Sequence, residues 1–197
     1  MNERRGTVKP KLTWLVHPLA LLPLAWLLWD AASGQLSVNP IQDITARTGK
    51  PALVLLILSL ACTPVVALTG WKLAGALRKP LGLYAFLYVC LHLLTFAGLD
   101  YGLHWGLIVD GALEKPYVLA GLAAFGLLVP LAATSTRWAM RRLGKRWKPL
   151  HRLVYAAAAL AVLHFLWLSK DPRQALLFGA ALALLLLLRL PLVRRTV

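Results

Sequence analysis

The sequence has little charge for its length: 15% of its 197 residues are charged, and only seven are Asp or Glu. A soluble domain averages about 25% charged and about 45–50% apolar residues. Here 59% are apolar, too many for one buried core, which excludes a water-soluble globular enzyme and a disordered tail. Cysteine is nearly missing. Cys62 and Cys90 both lie in apolar runs, make no CxxC and support no disulfide framework. No internal repeat and no low-complexity linker occurs, and the segments between apolar runs are about 4 to 20 residues long. There is no G-x-G-x-x-G motif and no room for a soluble nucleotide-binding domain.

What is there is hydrocarbon-compatible sequence. A helix needs about 20 mostly apolar residues to cross about 30 Å of hydrocarbon. Six stretches qualify: 12–29, 51–71, 80–99, 116–136, 149–169 and 174–193, the last by letting Arg189 snorkel. These stretches predict an all-α integral membrane protein, one domain over 1–197, formed by a bundle of six transmembrane helices. The first stretch follows a basic head (Arg4, Arg5, Lys9, Lys11) and lacks a small-residue cleavage site, so it reads as a retained helix. Pro51, Pro80, Pro116, Pro149 and Pro172 are expected at or near span starts, where a missing N–H costs least.

The +15 net charge is unevenly placed. With six spans, 17 Lys and Arg share a side with both termini, and five lie on the other side with six of the seven acids. The positive-inside rule then makes both termini cytoplasmic. The excess charge is read as topology and contact with membrane lipid headgroups, and nucleic acid is excluded as a partner.

Ionisable groups inside the spans reduce to His17, His92, His151 and His164. The lack of a mid-membrane Asp, Glu, Lys or Arg argues against an ion-coupled transporter. Imidazole is the usual axial ligand of haem iron. At 1.5 Å per residue, His92 lies roughly 10 Å and His164 roughly 8 Å from the outer ends of spans three and five. Their matched depth allows one iron between two helices, although a hydrogen-bonded interhelical contact accounts for a lone membrane histidine equally well. His151, roughly 20 Å further in and about 140° around the helix from His164, is the poorer partner for His92. An interfacial role between Lys148 and Arg152 suits it. His17 precedes Pro18 near the inner end of span one, and His104 falls in an outer loop.

One stretch is more specific than composition. Thr134-Ser135-Thr136, Met140, Leu143-Gly144-Lys145, Trp147, Leu150-His151-Arg152-Leu153-Val154-Tyr155 and His164 together resemble the MsrQ (YedZ) family of haem-binding membrane subunits. That family falls in the ferric reductase and NADPH-oxidase-like transmembrane superfamily. Pro40-Ile41, Asp43-Ile44, Thr48-Gly49, Leu81-Gly82, Leu91-His92-Leu93 and the His17–Pro23 spacing extend the resemblance over almost the whole chain.

The resemblance implies a six-helix core in the bacterial inner (plasma) membrane carrying b-type haem (heme b), with FMN as a further cofactor. It implies electrons from the quinone pool or a cytosolic flavin reductase, passed to a periplasmic molybdopterin-containing MsrP-like subunit that reduces methionine sulfoxide in oxidised envelope proteins. Carried over by position, His92, His164 and His151 are the metal-binding candidates. The superfamily's fourth histidine, 14 residues before His92, is here Arg78. A guanidinium there suits a haem propionate or flavin phosphate, or serves as an ordinary positive-inside residue.

Two other readings compete. A stand-alone quinol- or ferric-reductase-like cytochrome b needs no MsrP-like partner. A haem-free transporter or scaffold would be colourless and indifferent to loss of His92 or His164. The outer loops 30–49 and 100–115 hold most of the acids and are the expected partner-docking surface, through Asp43, Asp110 and Glu114.

Overall fold

A computed structural model of the chain describes residues 13–194, so the basic head and Arg195 lie outside the described residues. Among the described residues there is no strand. In chain order the helices are α1 (Val16–Ala32), α2 (Pro40–Thr69), α3 (Lys72–Leu94), α4 (Trp105–Glu114) and α5 (Pro116–Ala133). Then follow α6 (Arg137–Leu143), α7 (Trp147–His151), α8 (Leu153–Leu168) and α9 (Arg173–Arg194). A π-helical turn, Thr95–Asp100, prolongs α3.

Three of these are long and apolar enough to cross a membrane: Pro40–Thr69, Lys72–Asp100 and Pro116–Ala133. The pair Arg137–His151 and Leu153–Leu168, bent by 40°, supplies a fourth if it is one span. The protein is therefore a multi-pass helical membrane protein.

Two expectations about helix starts are corrected. Pro51 and Pro80 lie inside α2 and α3 rather than at their starts. The α2 start is set by Asn39, whose side chain accepts the N–H of Gln42 at 3.2 Å, with Pro40 in the first turn. This capping draws much of the expected loop 30–49 into helix. Pro116 does open α5. At the other end of α2, Gly70 caps with φ +69°, a left-handed conformation that favours glycine.

Hydrocarbon offers no hydrophobic drive for helix association, so small residues and polar contacts must hold the bundle. Ala85, Ala157 and Ala158 are fully or almost fully buried where α3 and α8 approach the rest. α2 runs along α3, α5 runs along α8, and α9 packs on α8 and α2. The turn between α2 and α3 and the segment α6–α7 mark a basic end of the bundle. Asp30, Asp43 and α4 mark an acidic end.

Two polar side chains mend helices that proline interrupts. Tyr88, fully buried on α3, donates its hydroxyl to the Ala20 carbonyl at 2.8 Å and accepts the Leu24 N–H at 3.0 Å. Ala20 and Leu24 are an i, i+4 pair beside Pro23, so the hydroxyl wedges into the α1 hydrogen-bond ladder. On α2, Pro64 has no N–H for the carbonyl four residues earlier, that of Leu60. Arg189 of α9 supplies the donor through one terminal nitrogen, and its other terminal nitrogen donates to the Tyr155 hydroxyl at 2.5 Å. Arg189 is 5% exposed, so the expected snorkelling does not occur. The open carbonyl holds the guanidinium inside.

Candidate functional site

The site grows from two helical hairpins built alike. In the first, His92 of α3 points at α2, and its Nδ1 lies 3.0 Å from the Thr45 carbonyl. A carbonyl only accepts, so Nδ1 carries the proton and donates. One turn further along α2 stands Gly49. A Cβ there would lie 3.0 Å from Nδ1 and Cε1 of the ring, so glycine is what lets the imidazole lie against the helix. The Thr48 hydroxyl is 3.5 Å from the same Nδ1.

The second hairpin repeats the arrangement. His164 of α8 donates Nδ1–H to the Tyr117 carbonyl of α5 at 2.6 Å. Four residues on, a Cβ at Gly121 would come within 2.9 Å of that nitrogen. Carbonyl and glycine thus stand at i and i+4 in both hairpins, on the helix that each histidine faces.

The two rings meet across the hairpins, with centroids 6.0 Å apart and planes at 86°. With each Nδ1 spent on a carbonyl, the neutral tautomer leaves Nε2 as a lone pair. Fixing the tautomer through the distal nitrogen is how proteins orient metal-binding imidazoles. His92 and His164 would therefore be the two side chains to hold a metal here, each offering an Nε2 lone pair.

The other sequence candidates stand apart from this pair. His151 places Nε2 3.0 Å from the Thr134 hydroxyl and stacks on Trp147, with centroids 4.0 Å apart. Trp147 in turn donates Nε1–H to the Thr134 carbonyl at 3.0 Å. Arg78, exposed near the basic end of α3, lends its carbonyl to the Ser59 hydroxyl at 2.8 Å. His17 lies 2.8 Å from the Tyr84 hydroxyl. Among the described residues no group of three or more His, Cys, Asp or Glu could hold a metal ion.

The acidic end also departs from expectation. Asp43 is not a free docking charge, because it accepts Arg47 Nε at 3.1 Å and the Ser37 N–H at 3.2 Å. Arg47 also reaches the buried Asp30 carboxylate at 2.5 Å, tying α1 to α2. Asp110 and Glu114 remain exposed on α4.

Sequence reading missed the roles of Gly121, Leu60 and Arg189. A glycine four residues after Tyr117 in the apolar run of α5 and a proline four residues after Leu60 were the signals for them.

A membrane bundle that brings two tautomer-fixed imidazoles together edge to face defines a class: a multi-pass transmembrane protein with a paired-histidine centre between its helices. Comparison with known proteins agrees. The family model described as "Ferric reductase like transmembrane component" matches residues 48–162. A Rhodospirillum rubrum protein is 49% identical over 183 residues, covering 91% of this chain and 88% of its own length. A Bordetella pertussis protein is 45% identical over 184 residues (92% and 87%), and one from Deinococcus radiodurans is 46% identical over 187 (92% of each). All three bear the name protein-methionine-sulfoxide reductase heme-binding subunit MsrQ. No solved structure matches. The chain belongs to the MsrQ family of ferric-reductase-like transmembrane components.

Proposed function

We propose that the protein is a membrane electron-transfer subunit that holds b-type haem (heme b) between His92 and His164. The observation that carries this is the mirrored pair of half-sites, each with Nδ1–H on a carbonyl and a glycine beneath the ring. Two imidazoles that shared one metal through bonds of about 2 Å would have ring centroids roughly 6 Å apart, and the rings lie 6.0 Å apart. When bound, such a haem supplies one-electron transfer between ferric and ferrous iron. The residues contribute orientation: Thr45 and Tyr117 fix the tautomers, and Gly49 and Gly121 make room.

The reading extends to six spans with both termini cytoplasmic, counting α1, α9 and the bent α6–α8 unit, in a bacterial inner membrane. Its support is the distribution of Lys and Arg, 17 against five. Electrons come from the quinone pool or a cytosolic flavin reductase and leave outward to a periplasmic molybdopterin-containing MsrP-like subunit, which performs the sulfoxide chemistry. The relatives' names speak for the methionine sulfoxide system. FMN belongs to the reading as a second cofactor, with exposed Arg78 as the contact for its phosphate. His151 is assigned to the basic-end network with Thr134 and Trp147.

The test is an oxidised-minus-reduced visible spectrum of the purified protein, with haem and flavin quantified by extraction. A low-spin b-type spectrum lost in His92→Ala and His164→Ala is the expected result. A colourless wild type, despite haem supply during expression, overturns the reading in favour of a haem-free transporter or scaffold.

A further inference from the structure

Near the basic end, α1 and α3 enclose between them an open groove of about 540 Å³. Leu83 and Leu87 give it apolar walls, and Trp14, His17, Lys79 and Tyr84 give it polar and aromatic ones. The His17 ring lies 5.7 Å from the Trp14 ring and 5.7 Å from the Tyr84 ring, with its Nδ1 2.8 Å from the tyrosine hydroxyl. Trp14, Leu83 and Leu87 are exposed, so the groove opens sideways toward lipid rather than into the bundle. Nothing in the paired-histidine site uses it.

The chemistry of these walls selects an amphiphile. Leucines suit a hydrocarbon tail, aromatic rings suit a planar head, and an imidazole suits a ring oxygen. A lipid phosphate would also suit Lys79, but a second observation favours a redox-active head. Tyr84, Tyr88 and His92 stand at i, i+4 and i+8 on α3, on one face of the helix. The stripe runs from the groove to the paired histidines over about 12 Å. Its middle member is fully buried and bound both ways to α1, the helix that carries His17. Groove, stripe and His92 are thus one fixed strip of structure.

We propose that this groove binds the ring of a membrane quinol, with His17 on a ring oxygen and Tyr84 positioning the imidazole; the proposal rests on the electron-transfer reading above. In the tautomer that carries its proton on Nδ1, His17 donates to the Tyr84 oxygen and its Nε2 is the base. Oxidation of the hydroquinone to the quinone breaks two O–H bonds and releases two electrons and two protons. The two electrons would be taken up one at a time by ferric haem held at His92 and His164, two haem equivalents for each hydroquinone. One proton passes to Nε2 and on to water at the mouth, and the other passes directly to water.

The experiment uses the full chain, haem-loaded, in phosphatidylcholine nanodiscs. Equilibrium binding of tritiated decylubiquinone is measured beside the rate of haem reduction by decylubiquinol. Haem content, dithionite reduction and reduction by free reduced FMN serve as references. His17→Gln and Leu83→Trp are expected to weaken quinone binding and slow quinol-driven reduction at least tenfold, and Tyr84→Phe to do so more mildly. The three reference values should stay unchanged. Leu83→Trp fills the groove but keeps both His17 and Tyr84, so it separates occupancy of the groove from loss of the His17–Tyr84 pair, and the unchanged reference values report that the fold is kept. Wild-type binding in both His17→Gln and Leu83→Trp overturns the proposal. So does quinone binding that is lost only in Lys79→Gln and competed by phosphatidylglycerol, which marks a lipid headgroup site. A haem-free wild type that still binds decylubiquinone in the groove sinks the electron-transfer reading instead. A haem-loaded wild type that binds none sinks only this proposal.

Discussion

His92 and His164 face each other edge to face, their ring planes 86° apart and their centroids separated by 6.0 Å. Neither ring is free to turn, because each Nδ1 is held by a carbonyl of a neighbouring helix. Two axial imidazoles at right angles leave low-spin ferric iron with a strongly anisotropic EPR spectrum, whereas parallel rings give a rhombic one. The expected spectrum is the anisotropic one, and a rhombic signal would show that the rings rotate on ligation.

Gly49→Ala and Gly121→Ala test the cradles. In an ordinary helix interior this change stabilises by about 1 kcal/mol. Here the added methyl meets an imidazole at 3.0 Å or 2.9 Å, and must push it from its carbonyl. Disturbing such outer contacts typically costs 10- to 100-fold in metal affinity. Haem retained per polypeptide during dialysis should fall in both variants while apoprotein melting holds or rises. Unchanged haem retention would remove the cradles from the account.

Arg189→Met should destabilise the protein. It leaves the Leu60 carbonyl without a donor in a buried setting, which costs about 1–3 kcal/mol. Pro64→Ala restores a backbone N–H four residues on, so the double variant should recover much of the loss. Thermal unfolding of the four proteins in detergent makes the cycle. Strict additivity would mean that Arg189 does something other than complete α2.

His151→Ala and Thr134→Val should leave the low-spin haem signal mostly intact, because Nε2 of His151 is engaged by Thr134 and its ring by Trp147. Extraction of haem from each variant gives the answer. Loss of half or more of the haem in His151→Ala would make it a ligand.

Outer-face docking should depend on Asp110 and Glu114, exposed on α4, and not on Asp43, which is paired with Arg47. Reversing both α4 charges to lysine should slow electron delivery to an MsrP-like partner, with an effect that fades as salt rises. Equal rates at low salt would clear α4 of the role.

The all-helical, multi-pass fold was legible in the sequence. Counting residues along a helix put His92 and His164 at matched depth, and the structure brings their rings together, but depth alone did not separate a metal ligand from an interhelical contact. The acceptors and glycines opposite them were not legible, because which carbonyl faces a ring depends on how two helices are rotated against each other. Arg189 illustrates the same limit: its position near a helix end suggested snorkelling, and only the packing of α9 on α2 reveals the carbonyl that Pro64 leaves open. Helix starts slipped for a local reason. Asn39 begins α2 well before Pro51, and an apolar-run count does not register a cap.

Each half-site is contained in one hairpin, Thr45 and Gly49 with His92, and Tyr117 and Gly121 with His164. Each therefore completes itself as soon as its own hairpin has entered the membrane, without waiting for the rest of the chain. A cofactor held by both would then be the last part to arrive and would fasten two finished modules. Biogenesis becomes a matter of order: a chain stopped after the first hairpin carries half a site, and the clasp can close only once α8 has brought His164 into place.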